Sequence, residues 1–412
     1  MLSLLIEKKR KIEEKGEILM EFLSETRKQK QAELNRISKE LAMLERDIES
    51  IASGREKRIS FSVPEATRES IESSRTDNII YSSCLKMSNR ITTHLDDLQS
   101  SYFESRSNNS LEDFEKRIKR FLKYSAIKAV SDIRYGDLFN TSNIISSMEF
   151  DRDDEYFATA GVTRKLKIYE MKSVMNELIE MPYPVVEMTN KSKISCLSWS
   201  SHVKSHIVSS DYEGILALWD ATSGSCIGSY EEHERRAWSV DFSPTDPMRF
   251  ASGSDDCKVK VWSINQPNSI MTMESKANIC SVKFNPENSN FLAFGSADHH
   301  VYFYDVRSIK EPYLQLKGHK KAVSYVRFLS NNELVSASTD SSLKSWEIST
   351  GLCSRTFNGH ANEKNFVGLS CNDDYIACGS ENNSVFLYYK HVSKPILSYK
   401  FPTSCPITVN EF

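Results

Sequence analysis

Two sets of side chains in this sequence carry the residue types of a nucleophilic hydrolase: His233 with Ser254 and Asp256, and His319 with Ser338 and Asp340. A catalytic triad needs its serine, histidine and acid gathered at one exposed point. Here the same types recur in the same order further along the chain, and a tryptophan follows each set, Trp262 and Trp346. A constellation that repeats along the chain is better explained as a buried hydrogen-bonded chain running from a loop histidine to a strand tryptophan. Catalysis by this chain itself is not expected, and no phosphate-cradling loop or isolated nucleophile offers another route to it. The nine cysteines are scattered from Cys84 to Cys405 without a Cys-x-x-Cys pair, which predicts no zinc cage, no disulfide framework and a reducing compartment. No metal or cofactor is implied.

The spacing that removes the triads also sets the architecture. An aromatic closes one strand in each of six similar segments: Tyr169, Trp219, Trp262, Tyr304, Trp346 and Tyr388, at intervals of 50, 43, 42, 42 and 42 residues. Ser-x-Asp turns precede three of them (Ser254 and Asp256, Ser296 and Asp298, Ser338 and Asp340), and Gly318-His319, Gly359-His360 and Trp219-Asp220 supply further landmarks. A period near 42 with these marks predicts a mainly β fold, a WD-repeat β-propeller of four-stranded antiparallel blades over 131–412. Neighbouring blades must satisfy one another's apolar faces, so no blade is stable alone. Six repeats are visible. A seventh aromatic would fall beyond Phe412, so a truncated seventh blade is expected, with Ser131 to Asn143 (Tyr135, Leu138, Phe139) as a donated closing strand and two exposed strand edges.

The residues before the propeller read differently. Leu34, Ile37, Leu41, Leu44, Ile48 and Ile51 alternate by three and four, a narrow stripe that predicts a coiled coil over 1–51. Arg27 and Lys30 interrupt the seam upstream, and the alternative is a helix lying on its own domain. Residues 52–78, rich in Ser, Arg and Glu with Pro64, predict a disordered linker, and 79–130 predict two amphipathic helices. The faces of these helices are Tyr81, Cys84, Ile91, Leu95, Leu98 and Tyr102, and Leu111, Phe114, Ile118, Phe121 and Leu122. The basic run Lys116 to Lys123 fits either a nuclear-import or partner signal or a solvated helix face. With 412 residues, 39% hydrophobic and a net charge of −3, the chain lacks the charge excess of a nucleic-acid binder. Its opening apolar run, Leu2 to Ile6, is too short to suggest a membrane segment.

In a four-stranded meander the turn entering the innermost strand and the turn between the second and third strands lie at the same end. Those turns carry Lys193, Arg236, Trp238, Lys320, Lys321, Glu363 and Phe366, and Tyr212 and His299 respectively. Cations around aromatic walls suit an extended peptide with an apolar pair and acidic flanks. Equally, Trp238 reads as core and the lysines as merely solvated.

Several stretches go beyond generic propeller pattern: Tyr135-Gly-Asp-Leu-Phe-Asn-Thr-Ser-Asn143, Asp211-Tyr-Glu-Gly214, His233-Glu-Arg-Arg-Ala-Trp-Ser-Val-Asp-Phe242, Ser252-Gly-Ser-Asp-Asp-Cys-Lys-Val-Lys-Val-Trp262, Gly295-Ser-Ala-Asp-His-His300, Gly318-His-Lys-Lys-Ala-Val-Ser-Tyr325 and Asn362-Glu-Lys-Asn-Phe-Val-Gly368. They resemble the constitutive photomorphogenesis protein 1 family, E3 ubiquitin ligases ordered as zinc RING, coiled coil, helical linker and propeller. The resemblance implies a substrate-recognition and scaffold subunit that binds acidic Val-Pro motifs through Lys193, Tyr212, Arg236, Trp238, His299, Lys321, Glu363 and Phe366. It implies a homo- or hetero-dimeric coiled-coil partner and a location in nucleus and cytoplasm. Asp305 and Arg307, within Tyr304-Asp-Val-Arg307, are similar to a box that docks propellers on a cullin-ligase adaptor, though an Arg at that place also fits a structural ion pair. No Cys or His precedes Cys84, so the ligase's RING is expected upstream of Met1 in a longer product or in a partner. The alternatives are an active E3 ubiquitin ligase whose RING is missing from this gene model and a propeller scaffold without a ubiquitin role.

Overall fold

The computed structural model describes residues 2–59, 87, 89–108, 111–131, 133, 144–176 and 182–402, and in the first helix the side chains at positions 20 and 23–53. Most of the expected closing strand Ser131 to Asn143, most of the expected linker, Tyr81, Cys84 and the tail beyond 402 lie outside them. Two compact units are present, Met1–Asn89 with Gln99–Arg117, and Arg90–Leu98 with Ile118–Phe412.

In the first unit α1 (Leu2–Ile59) runs past Ile51, the last stripe residue, so positions 52–59 of the expected linker are helix. Helix formers such as Ala52, Glu56 and Lys57 continue the turn after the apolar spacing has stopped. The stripe itself is bare: Leu34 is 57% exposed, Leu41 54% and Ile48 65%. A different face of α1 is covered, because buried Asp47 accepts from the Tyr102 hydroxyl and pairs with Arg106 at 2.7 Å. Tyr102 lies on α2 (Leu95–Asn108) and packs edge-on against Phe114 of α3 (Leu111–Phe121), with ring centroids 5.0 Å apart. Leu95, placed on the buried face by its spacing, is instead 53% exposed. Leu95 is the first residue of α2, ahead of buried Leu98 and Tyr102 on the same helix.

Among the described residues the second unit is a β-propeller of six four-stranded sheets, each a consecutive antiparallel meander. The first sheet is β1 to β4 (Ile145–Phe150, Tyr156–Gly161, Lys165–Glu170, Val186–Thr189), with the short helix α4 (Met171–Met175) after its third strand. The second is β5 to β8 (Ile194–Trp199, His206–Asp211, Leu216–Asp220, Ser225–Tyr230) and the third β9 to β12 (Ala237–Phe242, Arg249–Ser254, Lys258–Ser263, Met271–Glu274). The fourth is β13 to β16 (Ile279–Phe284, Phe291–Ser296, His300–Asp305, Leu314–Lys317) and the fifth β17 to β20 (Val323–Phe328, Glu333–Ser338, Ser342–Glu347, Leu352–Phe357). The sixth is β21 to β24 (Leu369–Cys371, Tyr375–Ser380, Ser384–Tyr389, Leu397–Lys400). Every strand-end aromatic of the 42-residue period sits on a third strand.

Innermost strands pack side by side in the order β1, β5, β9, β13, β17, β21. Their polar side chains tie each sheet to the next through main-chain groups. Ser147 Oγ accepts from Leu197 N at 3.0 Å, Ser198 Oγ from Phe242 N at 3.0 Å, Asp241 Oδ2 from Phe284 N at 2.8 Å and Ser281 Oγ from Val326 N at 3.3 Å, while Arg327 Nε donates to Leu369 O at 3.1 Å. Apolar clusters fill the spaces between adjacent sheets, and Gly253 permits the approach: a Cβ there would meet Ile279 Cγ2 at 2.6 Å. The sixth sheet is also covered by Arg90–Leu98 and the end of α3. Phe121, fully buried, joins Leu98, Tyr375, Tyr389, Val392 and Ile396, and Tyr375 Oη donates to Arg120 O at 2.6 Å. Arg120 pairs with Asp374 at 3.0 Å, so part of the basic run serves this packing.

The histidine sets form buried networks, with a different serine from the one expected. His319 bonds Asp340 at 3.1 Å and Ser336 Oγ at 2.7 Å, and Trp346 Nε1 donates to Ser336 at 2.8 Å; His233, Asp256, Ser252 and Trp262 repeat this. Ser338 and Ser254 lie one pleat nearer the turn and donate to the loop carbonyls of Lys321 and Arg236. Burial pushes the Asp340 carboxyl up, but His319, the Lys320 N–H and Ser342 outweigh it and hold it below its ordinary value. Its stabilisation is therefore complete above the unfolded carboxylate value of about 3.9 and is lost as pH falls. Asp340→Asn should cost about 2 kcal/mol at pH 7, with the melting gap to wild type narrowing below pH 4. A gap constant from pH 7 to pH 3 contradicts this.

Candidate functional site

The local backbone explains why Trp238 is not core. In five sheets the pairing of the innermost strand skips one residue near its start: Ser146, Ser195, Trp238, Cys280 and Ser324. Such a bulge re-aims the extra side chain out of the sheet's alternation. Four of the five are small, and Ser146, Ser195 and Cys280 line a central cavity of about 460 Å³. Trp238 is the large one, half-buried over the same cavity with Tyr212, Tyr325, Asn365 and Phe366.

Its neighbours are set by turns. Asp211, buried at the end of β6, accepts from the Glu213 and Ile215 N–H groups at 3.0 and 2.9 Å, closing a hairpin that lifts Tyr212 outward. Gly214, at φ 88°, is required there, because a Cβ would run into the Arg235 carbonyl. Arg236 enters β9 with its guanidinium carbon 4.1 Å from the Tyr212 ring centre and 4.8 Å from that of Trp238. Lys193 Nζ lies 5.9 Å over Tyr212. Phe366 stands edge-on to Trp238, centroids 5.2 Å apart. The Arg236 Nε is buried without a hydrogen-bond partner. Such a stacked guanidinium presents its donors to an anion.

Five of the eight expected residues, Lys193, Tyr212, Arg236, Trp238 and Phe366, are thus brought together. His299, Lys321 and Glu363 are exposed on corresponding turns of the later sheets, without a described contact to that cluster. His299 takes φ 75°, the same left-handed turn position held by Arg164, Cys257, Ser341 and Asn383. Deeper in the cavity Lys283 Nζ meets Asp241 Oδ1 at 2.6 Å; burial pushes that carboxyl up to about 7, against the Phe284 N–H and Arg327. Arg307 forms a fork with Asp305, Nη2 to Oδ2 2.7 Å and Nε to Oδ1 2.9 Å, while its side chain stays 64% exposed. Among the described residues one carboxylate cluster has metal-like spacing, Asp151, Asp153 and Glu155. The Lys204 ammonium lies 3.4, 2.9 and 2.6 Å from them and fills the place of a cation.

The WD domain, G-beta repeat family matches residues 224–263, 267–305, 310–347 and 351–388. E3 ubiquitin-protein ligase COP1 of Arabidopsis thaliana is 56% identical over 293 residues, covering 71% of this chain and 43% of that protein. WD repeat-containing protein RUP2 of Arabidopsis thaliana is 36% identical over 277 residues, 62% of this chain and 75% of that protein. The chain belongs to the COP1 family of WD-repeat proteins. Protein SUPPRESSOR OF PHYA-105 1 of Arabidopsis thaliana is also similar, 47% identical over 336 residues and 33% of that protein. The chain spans less than half the length of its COP1 relative.

Tyr325 and Asn365, which line the cavity, and Asp255, which accepts from the Trp238 indole, are not among the residues expected from the sequence. Asn365 stands next to Phe366 and Tyr325 four places after Lys321, and both line the cavity, Tyr325 directly after the β17 bulge. Arg236 is expendable for folding if its stack is a surface feature, since an exposed cation–π contact contributes about 0.5–1 kcal/mol. Arg236→Leu should leave the melting temperature within a few degrees of wild type; loss of the folded state would instead make Arg236 a core element.

Proposed function

We propose that this chain is a substrate-recognition and scaffold subunit of a ubiquitin ligase, capturing acidic Val-Pro motifs at the propeller mouth and dimerising through the stripe of α1. The observation that carries the reading is the Arg236 guanidinium lying over both Tyr212 and Trp238, with Phe366 edge-on to the indole. Flat aromatic walls accept a proline ring and a β-branched neighbour with little side-chain entropy lost. Lys193, Arg236 and Lys321 then meet the acidic flank, and His299 and Glu363 border it. The relative named E3 ubiquitin-protein ligase COP1 supports the ligase context. Ubiquitin transfer itself is assigned to a RING supplied elsewhere, and Arg307 with Asp305 to docking on a ligase adaptor.

Calorimetry with an acidic Val-Pro peptide tests the mouth: Trp238→Ala should cost at least about 2 kcal/mol. Equal affinity for both proteins removes Trp238 from the site, and no binding by wild type favours a scaffold without a ubiquitin role. The stripe is tested by sedimentation of the full chain. Six apolar residues left bare on one helix face predict a dimer that Leu41→Asp returns to monomer. Unchanged mass contradicts the coiled coil.

A further inference from the structure

The Trp238 indole is not free to donate to a ligand, because its Nε1–H is given to Asp255 Oδ1 at 2.7 Å. The same carboxylate oxygen accepts from Asn278 Nδ2 at 3.0 Å, and the Asp255 N–H donates to the Arg236 carbonyl at 2.9 Å. Asp255 thus ties the β10–β11 turn to the residue before β9 and fixes the angle of the indole over the cavity. It also places a negative charge at the Nε1 edge of Trp238, whereas the Arg236 guanidinium lies over the Tyr212 and Trp238 rings and Lys193 over that of Tyr212. No ion pair to Asp255 occurs among the described residues.

We infer that Asp255 is the positioning and charge-filtering residue of the mouth: it holds Trp238 as an apolar wall and disfavours an acidic ligand residue on its own side, leaving the Tyr212 side as the anion-accepting one. This rests on the peptide-binding reading. The two roles separate chemically. An amide keeps the acceptor oxygen but loses the charge, and a methyl loses both.

The experiment measures binding of two Val-Pro peptides, one with acidic flanks and one with neutral flanks, to wild type, Asp255→Asn and Asp255→Ala. Asp255→Asn should bind the acidic peptide about two- to fivefold more tightly, the effect of removing one screened like charge, and the neutral peptide as wild type does. Asp255→Ala should bind both peptides about five- to tenfold more weakly, because an indole N–H without its acceptor leaves the wall unfixed. Tryptophan fluorescence of the unbound proteins should shift for Asp255→Ala only. If wild type binds neither peptide, the peptide-binding reading itself fails. If wild type binds, the inference is overturned by an Asp255→Asn variant that treats acidic and neutral peptides alike, or by an Asp255→Ala variant equal to wild type.

Discussion

One skipped residue near the start of an innermost strand is what the rest of the mouth depends on. The bulge breaks strict alternation, so the side chain it carries leaves the interblade core and points into the central cavity. Small residues stand at that place in four sheets, of which Ser146, Ser195 and Cys280 line the cavity, and Trp238 furnishes a wall in the fifth. The aromatic wall then selects its neighbours: a guanidinium finds two ring faces, and a carboxylate takes up the indole N–H.

That arrangement requires a frame that does not shear. The main-chain ties from each inner strand to the next supply it, since Ser147, Ser198, Asp241, Ser281 and Arg327 each bond a backbone group of the following sheet. Hydrogen bonds between sheets fix register where apolar packing alone would allow sliding. The His–Asp–Ser–Trp networks brace the second and third strands behind the turns that carry Arg236 and Lys321. The segment Arg90–Leu98 and the end of α3 belong to this frame as well, covering the sixth sheet through Phe121 and Tyr375.

Much of this was legible in the chain. The strand-end aromatics marked every third strand because a blade spends about the same number of residues on each meander. The turns bearing Lys193, Tyr212, Arg236 and Phe366 followed from that register. Other features were hidden for physical reasons. Ser336 rather than Ser338 joins His319 because two serines one pleat apart share a face, and only the reach of the Trp346 indole distinguishes them. Residues 52–59 extend α1 although their apolar spacing has ended, since helix propensity outlasts amphipathicity. Leu95 follows the helical period but stands at the first position of α2 and is exposed. Asp255 gave no sign, because its partner, the Trp238 indole N–H, comes near it only after the β9 bulge.

A crystal structure of the propeller with an acidic Val-Pro peptide bound tests the central claim most directly. The account predicts the proline ring against the Trp238 face between Tyr212 and Phe366, with a ligand carboxylate within hydrogen-bonding distance of Arg236. A peptide paired instead along an outer strand edge, or lodged at the opposite end of the propeller, would contradict it.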